Sequence, residues 1–185
     1  MRTFIAIELE ANLKKNLFDF QRKLRKLGPP TISWTRESGM HLTLKFLGEI
    51  DETESVRLKE PLAAVCAAAI SFPISVRGTG SFPPHRPPRV LWVGVEGPPA
   101  LADLQAGVEA AAEEIGVPRE ERPFHPHLTL GRVKAPGGLQ ALMAELDRAR
   151  ALEFGSMTVR SLTFFQSVLK PSGAEYHPLA VFNLP

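Results

Sequence analysis

The chain has one cysteine in 185 residues, Cys66, so it can close no intramolecular disulfide and build no thiolate metal cluster. That fits a reducing compartment without demanding one. Charge of one sign is also missing. The 22 basic and 20 acidic residues leave a net +2, too little to require a polyanionic partner and enough to permit one. The most apolar run, Pro61–Ile70, is far shorter than the ~20 residues that span a bilayer. The opening MRTFIAIELE has neither the basic stretch nor the cleavage site of a secretory leader. A cytoplasmic protein with no membrane association is the expectation. No glycine-framed serine elbow is present, which argues against a serine hydrolase.

The remaining composition, 44% hydrophobic and 23% charged, is that of an ordinary globular chain, and its length predicts one domain, or two small, intimately packed lobes, over residues 1–185. Thr3–Leu9 reads as a strand. Leu13, Leu17, Phe20, Leu24 and Leu27 then recur at 4-3-4-3 spacing, an amphipathic helix that Gly28-Pro29-Pro30 should cap and stop. Its cluster of Arg22, Lys23, Arg25 and Lys26 reads as a solvated face suited to the helix dipole, with steering of RNA as the alternative. Asp51 with Glu54 resembles a capping box for a helix reaching about Ala69, with Pro61 inside it. Phe72–Arg77 and Val90–Val95 read as strands, Pro99–Ile115 and Leu139–Arg150 as helices, and Met157–Phe165 and Ala180–Leu184 as strands again. The loop holding Phe82, His85, Arg86 and Arg89 combines aromatic and basic residues, a pattern suited to single-stranded RNA. Trp34 and Trp92 are expected in the core.

Histidine is scarce, five residues, yet two of the five head identical tetrapeptides. His-Leu-Thr-Leu occurs at His41–Leu44 and again at His127–Leu130, nearly half the chain apart. Strand alternation turns each leucine pair to one face and each His/Thr pair to the other, the two polar side chains about 6.6–6.8 Å apart. Both repeats are followed by a turn and a helix, which points to an internal duplication. Two such faces brought together hold two imidazoles and two hydroxyls. One imidazole can take a proton from water while the other gives one to a leaving oxygen, and the hydroxyls can hold phosphate oxygens. Opening an activated phosphodiester is the reaction that fits. His125 and His127 are spaced to share a face, but no Asp, Glu or Cys stands at ligand spacing, so no metal and no other cofactor is expected. Lys45 shares the His41 face by parity, where it would meet RNA backbone or solvent. Strict alternation turns Arg132 away from His127, and only a bulge or a strand end before it would bring its guanidinium to a phosphate.

These residues resemble the two-histidine (2H) phosphoesterases, whose signature is a pair of His-x-Thr/Ser-x motifs in two related lobes. The stretches WTRESGMHLTLKFLGEI (Trp34–Ile50) and FHPHLTLGRVK (Phe124–Lys134) resemble the RNA 2′,3′-cyclic phosphodiesterase branch, formerly called 2′-5′ RNA ligase. So do RTFIAIEL (Arg2–Leu9) and SVLKPSGAEYHPLAVFNL (Ser167–Leu184), so the resemblance spans essentially the whole chain. It implies a bilobal α+β fold, two pseudo-symmetric, interleaved lobes each with an antiparallel sheet flanked by helices, and an active site in the cleft between the sheets. It implies metal-independent hydrolysis of a terminal RNA 2′,3′-cyclic phosphate to a 2′-phosphomonoester. His41 would be the proton donor and His127 the proton acceptor, with Thr43 and Thr129 binding the phosphate. Arg132, whose guanidinium suits phosphate geometry, is a further candidate for substrate binding from its own position, with a structural or rim role as the alternative. The expected partner is RNA with 2′,3′-cyclic phosphate ends, tRNA fragments and other nucleotides included, and the expected state a monomer. Reverse 2′-5′ ligation is chemically allowed. A non-catalytic module that binds nucleotides or RNA ends is the alternative.

Overall fold

A computed structural model describes residues 1–84 and 87–185. Its order is β1 (Arg2–Glu8), α1 (Ala11–Arg25), β2 (Ile32–Trp34), β3 (His41–Glu49), α2 (Glu52–Ala68), β4 (Phe72–Phe82), β5 (Val90–Glu96), α3 (Pro99–Glu114), β6 (His127–Val133), α4 (Gln140–Arg148), β7 (Glu153–Val159), β8 (Ser161–Lys170) and β9 (Gly173–Asn183). Two antiparallel sheets result, β3-β1-β8-β9 and β2-β6-β5-β4-β7. The fold is bilobal α+β, as the sequence implied. Among the described residues no helix is long and apolar enough to cross a membrane.

The two sheets repeat one plan. Each motif strand pairs with the strand that precedes it through a helix, β3 with β1 and β6 with β5. The chain then crosses over. β4 follows the first motif but joins the second sheet, while β8 follows the second motif and joins the first. The helices cross as well: α1 packs on β7 and α4 of the second sheet, and α3 packs on α2 and β3 of the first. Both helix layers seal one continuous apolar core, in which Ile5, Leu17, Leu42, Leu62, Val93, Leu130 and Phe164 are fully buried.

Local chemistry explains most boundaries. The capping box forms as expected: Asp51 Oδ1 accepts from the Glu54 N–H and Glu54 Oε2 from the Asp51 N–H, both at 2.8 Å. The helix it starts runs on through Pro61. Three expectations need correction. The α1 stripe stops at Leu24, because the helix ends at Arg25 and leaves Leu27 exposed. Gly28 is not a left-handed cap; a side chain there would meet Leu142 Cδ1 at 2.7 Å, so its smallness serves helix packing. Met157–Phe165 is not one strand. It breaks at Arg160 into β7 and β8, which belong to different sheets and so cannot be told apart by periodicity.

Candidate active site

The strands that carry the tetrapeptides, β3 and β6, touch where the two sheets meet. On each, the expected alternation holds for four residues. Leu42, Leu44, Leu128 and Leu130 are buried, while His41, Thr43, His127 and Thr129 are half-buried on the opposite face. Then both strands break parity at the same point. In β3, Thr43 pairs with Ala6 and Lys45 with Ile5, leaving Leu44 as an extra residue. In β6, Thr129 pairs with Trp92 and Gly131 with Leu91, leaving Leu130 extra. Each is a β-bulge, which re-aims every side chain after it.

The bulges decide two residues that alternation left open. Lys45, expected on the His41 face, turns inward instead. Its Nζ lies 2.6 Å from Glu109 Oε2 and donates to the Pro118 carbonyl at 2.7 Å, deep between β3 and α3. Arg132, which strict alternation turned away, emerges exposed on the face of His127 and Thr129. Its charge helps lower the His127 pKa, a sign of proximity. Phe46 occupies the corresponding place in the first motif, and sequence reading missed it. It is 61% exposed, with its ring 6.1 Å from Phe4 on the His41 face. The signal was a phenylalanine at the same offset from its motif histidine as Arg132 has in the second motif, meaningful only once the bulge is known.

The two imidazoles sit in different surroundings. His41 stacks on Phe4 at 4.8 Å between ring centres, meets Tyr176 edge-on at 5.2 Å and lies 5.9 Å from Phe165. Burial against these rings, aided by the Lys14 ammonium, lowers its pKa to about 4. Among the described residues no group hydrogen-bonds its ring. His127 stands against Phe82 at 5.2 Å and Trp92 at 6.5 Å. Its Nδ1 lies 2.6 Å from the His125 carbonyl, an acceptor, so Nδ1 carries the proton and Nε2 of the neutral ring is left as the proton acceptor. Burial lowers this pKa too; the His125 carbonyl opposes the shift, and the charges of Arg132 and His125 add to it.

Trp92 is therefore not a core residue. It is half-buried on the site face, its indole laid over Gly80, where any Cβ would collide with the ring. Trp34 does pack against the core, behind Gly131 and beneath the Arg25 guanidinium at 5.7 Å. The Arg22–Lys26 face is exposed. Tyr176 borders the site, whereas the exposed His177 lies 3.7 Å from Glu175. Of the basic loop, Phe82 touches His127, and His85 and Arg86 lie outside the described residues. Among the described residues no three His, Cys, Asp or Glu side chains converge as metal ligands would.

The 2′-5′ RNA ligase superfamily model matches residues 15–170. The chain is 34% identical over 184 residues to an RNA 2′,3′-cyclic phosphodiesterase of Methanothermobacter thermautotrophicus, covering 100% of this chain and 99% of that one. It is 36% identical over 180 residues to one of Thermotoga maritima, covering 97% and 93%. In structure it is similar to TT0787 of Thermus thermophilus, with a TM-score of 0.84, 31% identity and coverage of 100% and 98%. It is also similar to Escherichia coli LigT complexed with 3′-AMP, with a TM-score of 0.78, 26% identity and coverage of 99% and 97%.

Proposed function

The chain belongs to the 2′-5′ RNA ligase superfamily of 2H phosphoesterases, and we propose that it opens terminal RNA 2′,3′-cyclic phosphates to 2′-phosphomonoesters. The observation that supports this most directly is the contact of β3 and β6 with His41/Thr43 and His127/Thr129 standing on their outward faces. One imidazole for the acid, one for the base and two phosphate-holding hydroxyls are then supplied, with no demand for a metal.

In the proposed mechanism His127 Nε2 removes a proton from water as the water oxygen attacks phosphorus. The P–O3′ bond breaks, and the His41 imidazolium gives its proton to the departing 3′ oxygen. Thr43 and Thr129 donate to the non-bridging oxygens, and the Arg132 guanidinium matches the same phosphate geometry. The Nδ1–carbonyl bond of His127 favours it as the acceptor, since it holds the ring in the tautomer a base needs. His41 has the opposite requirement. Its ring is neutral in the free protein, and the bound phosphate anion restores the proton it must donate. Phe46 offers an exposed face for the terminal base. By microscopic reversibility the same groups permit 2′-5′ joining of RNA bearing 2′,3′-cyclic and 5′-hydroxyl ends.

RNA fragments with cyclic ends, those of tRNA included, are the proposed substrates, acted on by a cytoplasmic monomer. The test is an oligonucleotide ending in 2′,3′-cyclic phosphate, incubated with a chelator present. Wild type should yield a 2′-phosphate, and His41→Ala or His127→Ala nearly none. Turnover that needs metal, or that survives both substitutions, overturns the mechanism. A 3′-phosphate product would reverse the leaving group. Tight binding of the RNA end by wild type without turnover would establish a recognition module instead.

A further inference from the structure

A buried backbone carbonyl has two lone pairs to satisfy. In both motifs the carbonyl of the bulged leucine accepts from a glutamine amide on a helix from the other half of the chain. Gln21 of α1 is completely buried. Its Nε2 donates to the Leu130 carbonyl at 2.8 Å and to the Thr35 carbonyl at 2.6 Å. The Leu130 oxygen also accepts the Thr35 N–H at 2.9 Å, so both its lone pairs are used. On its far side, Gln21 Oε1 accepts from Arg25 at 3.1 Å, which fixes the orientation of the amide. Gln105 of α3 does the same for the first motif at longer range. Its Nε2 donates to the Leu44 carbonyl at 3.4 Å and to Glu109 Oε1 at 3.1 Å, and Glu109 is itself held by Lys45.

Gln21 has a second consequence. Thr35 opens segment 35–40, which leads directly into His41, and Leu130 lies one residue past Thr129. One buried amide thus ties the approach to the first half-site to the end of the second. We propose that Gln21 and Gln105 are positioning residues, Gln21 setting the separation of the two His/Thr faces and Gln105 steadying the first. The proposal rests on the functional reading above. Water attack and leaving-group protonation need both imidazoles in register at once, whereas substrate binding tolerates a small displacement. Loss of either amide therefore falls on kcat more than on KM.

The experiment compares wild type, Gln21→Met and Gln105→Met on a dinucleotide ending in 2′,3′-cyclic phosphate. Rates are taken at temperatures well below each protein's Tm, so that loss of folded protein is not mistaken for misalignment. For Gln21→Met the expected result is a kcat lower by about fivefold or more, with a smaller change in KM. A smaller kcat loss, or one exceeded by the KM change, overturns the proposal. If Gln21→Met does not fold, the half-buried Gln105 decides. A kcat loss of about threefold or more supports the proposal and a smaller one overturns it. Wild type that leaves the dinucleotide intact overturns the functional reading and the proposal together, whereas active wild type matched by its variants overturns the proposal alone.

Discussion

Replacing His41 by Asn should make the protein more resistant to acid. The His41 imidazole titrates at about 4 instead of 6.5, first because it is buried on Phe4 and Tyr176 and second because Lys14 is near. Folding therefore favours the neutral ring, and the unfolded chain binds the proton more readily. For a histidine with a depressed folded pKa, stability is fully present above 6.5 and is lost as the pH falls through 6.5 toward 4. Between pH 7 and pH 4 that loss amounts to about 3 kcal/mol. In a chain of this size each kcal/mol moves Tm by about 2–4 °C, so the effect is about 6–12 °C. Asparagine has nothing to titrate in this range. The difference between wild type and H41N thus isolates one ring, because every other acid-sensitive group is common to both. Thermal unfolding at pH 7.5, 6, 5 and 4 at fixed ionic strength measures it. At pH 7.5 the variant should be the less stable, having lost the aromatic packing, and the gap should move in its favour by about 6–12 °C at pH 4. Parallel curves would refute the reasoning. A phosphate anion about 4 Å from the imidazolium attracts it by about 4 kcal/mol at an effective dielectric near 20, which returns the ring to titration near neutrality. A 2′-nucleotide should accordingly protect wild type more at pH 5 than at pH 7.5, and H41N should lose that pH dependence.

Arg132→Met should raise KM about tenfold or more for the cyclic substrate, one charge-assisted phosphate contact being lost. Because the Arg132 charge helps hold the His127 pKa down, the same variant should move the acidic limb of kcat, which reports the base in the complex, to higher pH. Phe46→Ala should leave Tm nearly unchanged, since that ring is 61% exposed, and should weaken binding by the ~1–3 kcal/mol of one base stack. The loss should vanish for a ribose 2′,3′-cyclic phosphate that carries no base. Glu109→Ala should cost about 3–5 kcal/mol in urea unfolding, because it strands the Lys45 cation, whose side chain is only 5% exposed. The paired Lys45→Met/Glu109→Leu should return close to wild type, and failure to do so would refute the view that the stranded charge is the cost.

Element types were largely legible in the sequence because they rest on local patterns. The Leu13–Leu24 stripe, the Asp51–Glu54 box and Pro99 at a helix start each act within a turn or two of chain. The misreadings arose where a distant partner chose. Gly28 could not announce Leu142, nor could Met157–Phe165 announce that its two ends belong to different sheets. Trp92 looked like core because large aromatics usually are, and only Gly80 on the neighbouring strand makes room for it beside His127.

The repeated His-Leu-Thr-Leu by itself determined two polar faces backed by leucine, since alternation along a strand needs no partner to define it. It could not determine where the side chains beyond each tetrapeptide point. A bulge exists only against a paired strand, and it is the registers of β1 on β3 and β5 on β6 that bury Lys45 and bring Phe46 and Arg132 to the site. Nor could identical sequences make one imidazole differ from the other. That difference came from tertiary structure alone: an aromatic bed for His41, a backbone carbonyl for His127, and a buried amide joining the segments around them.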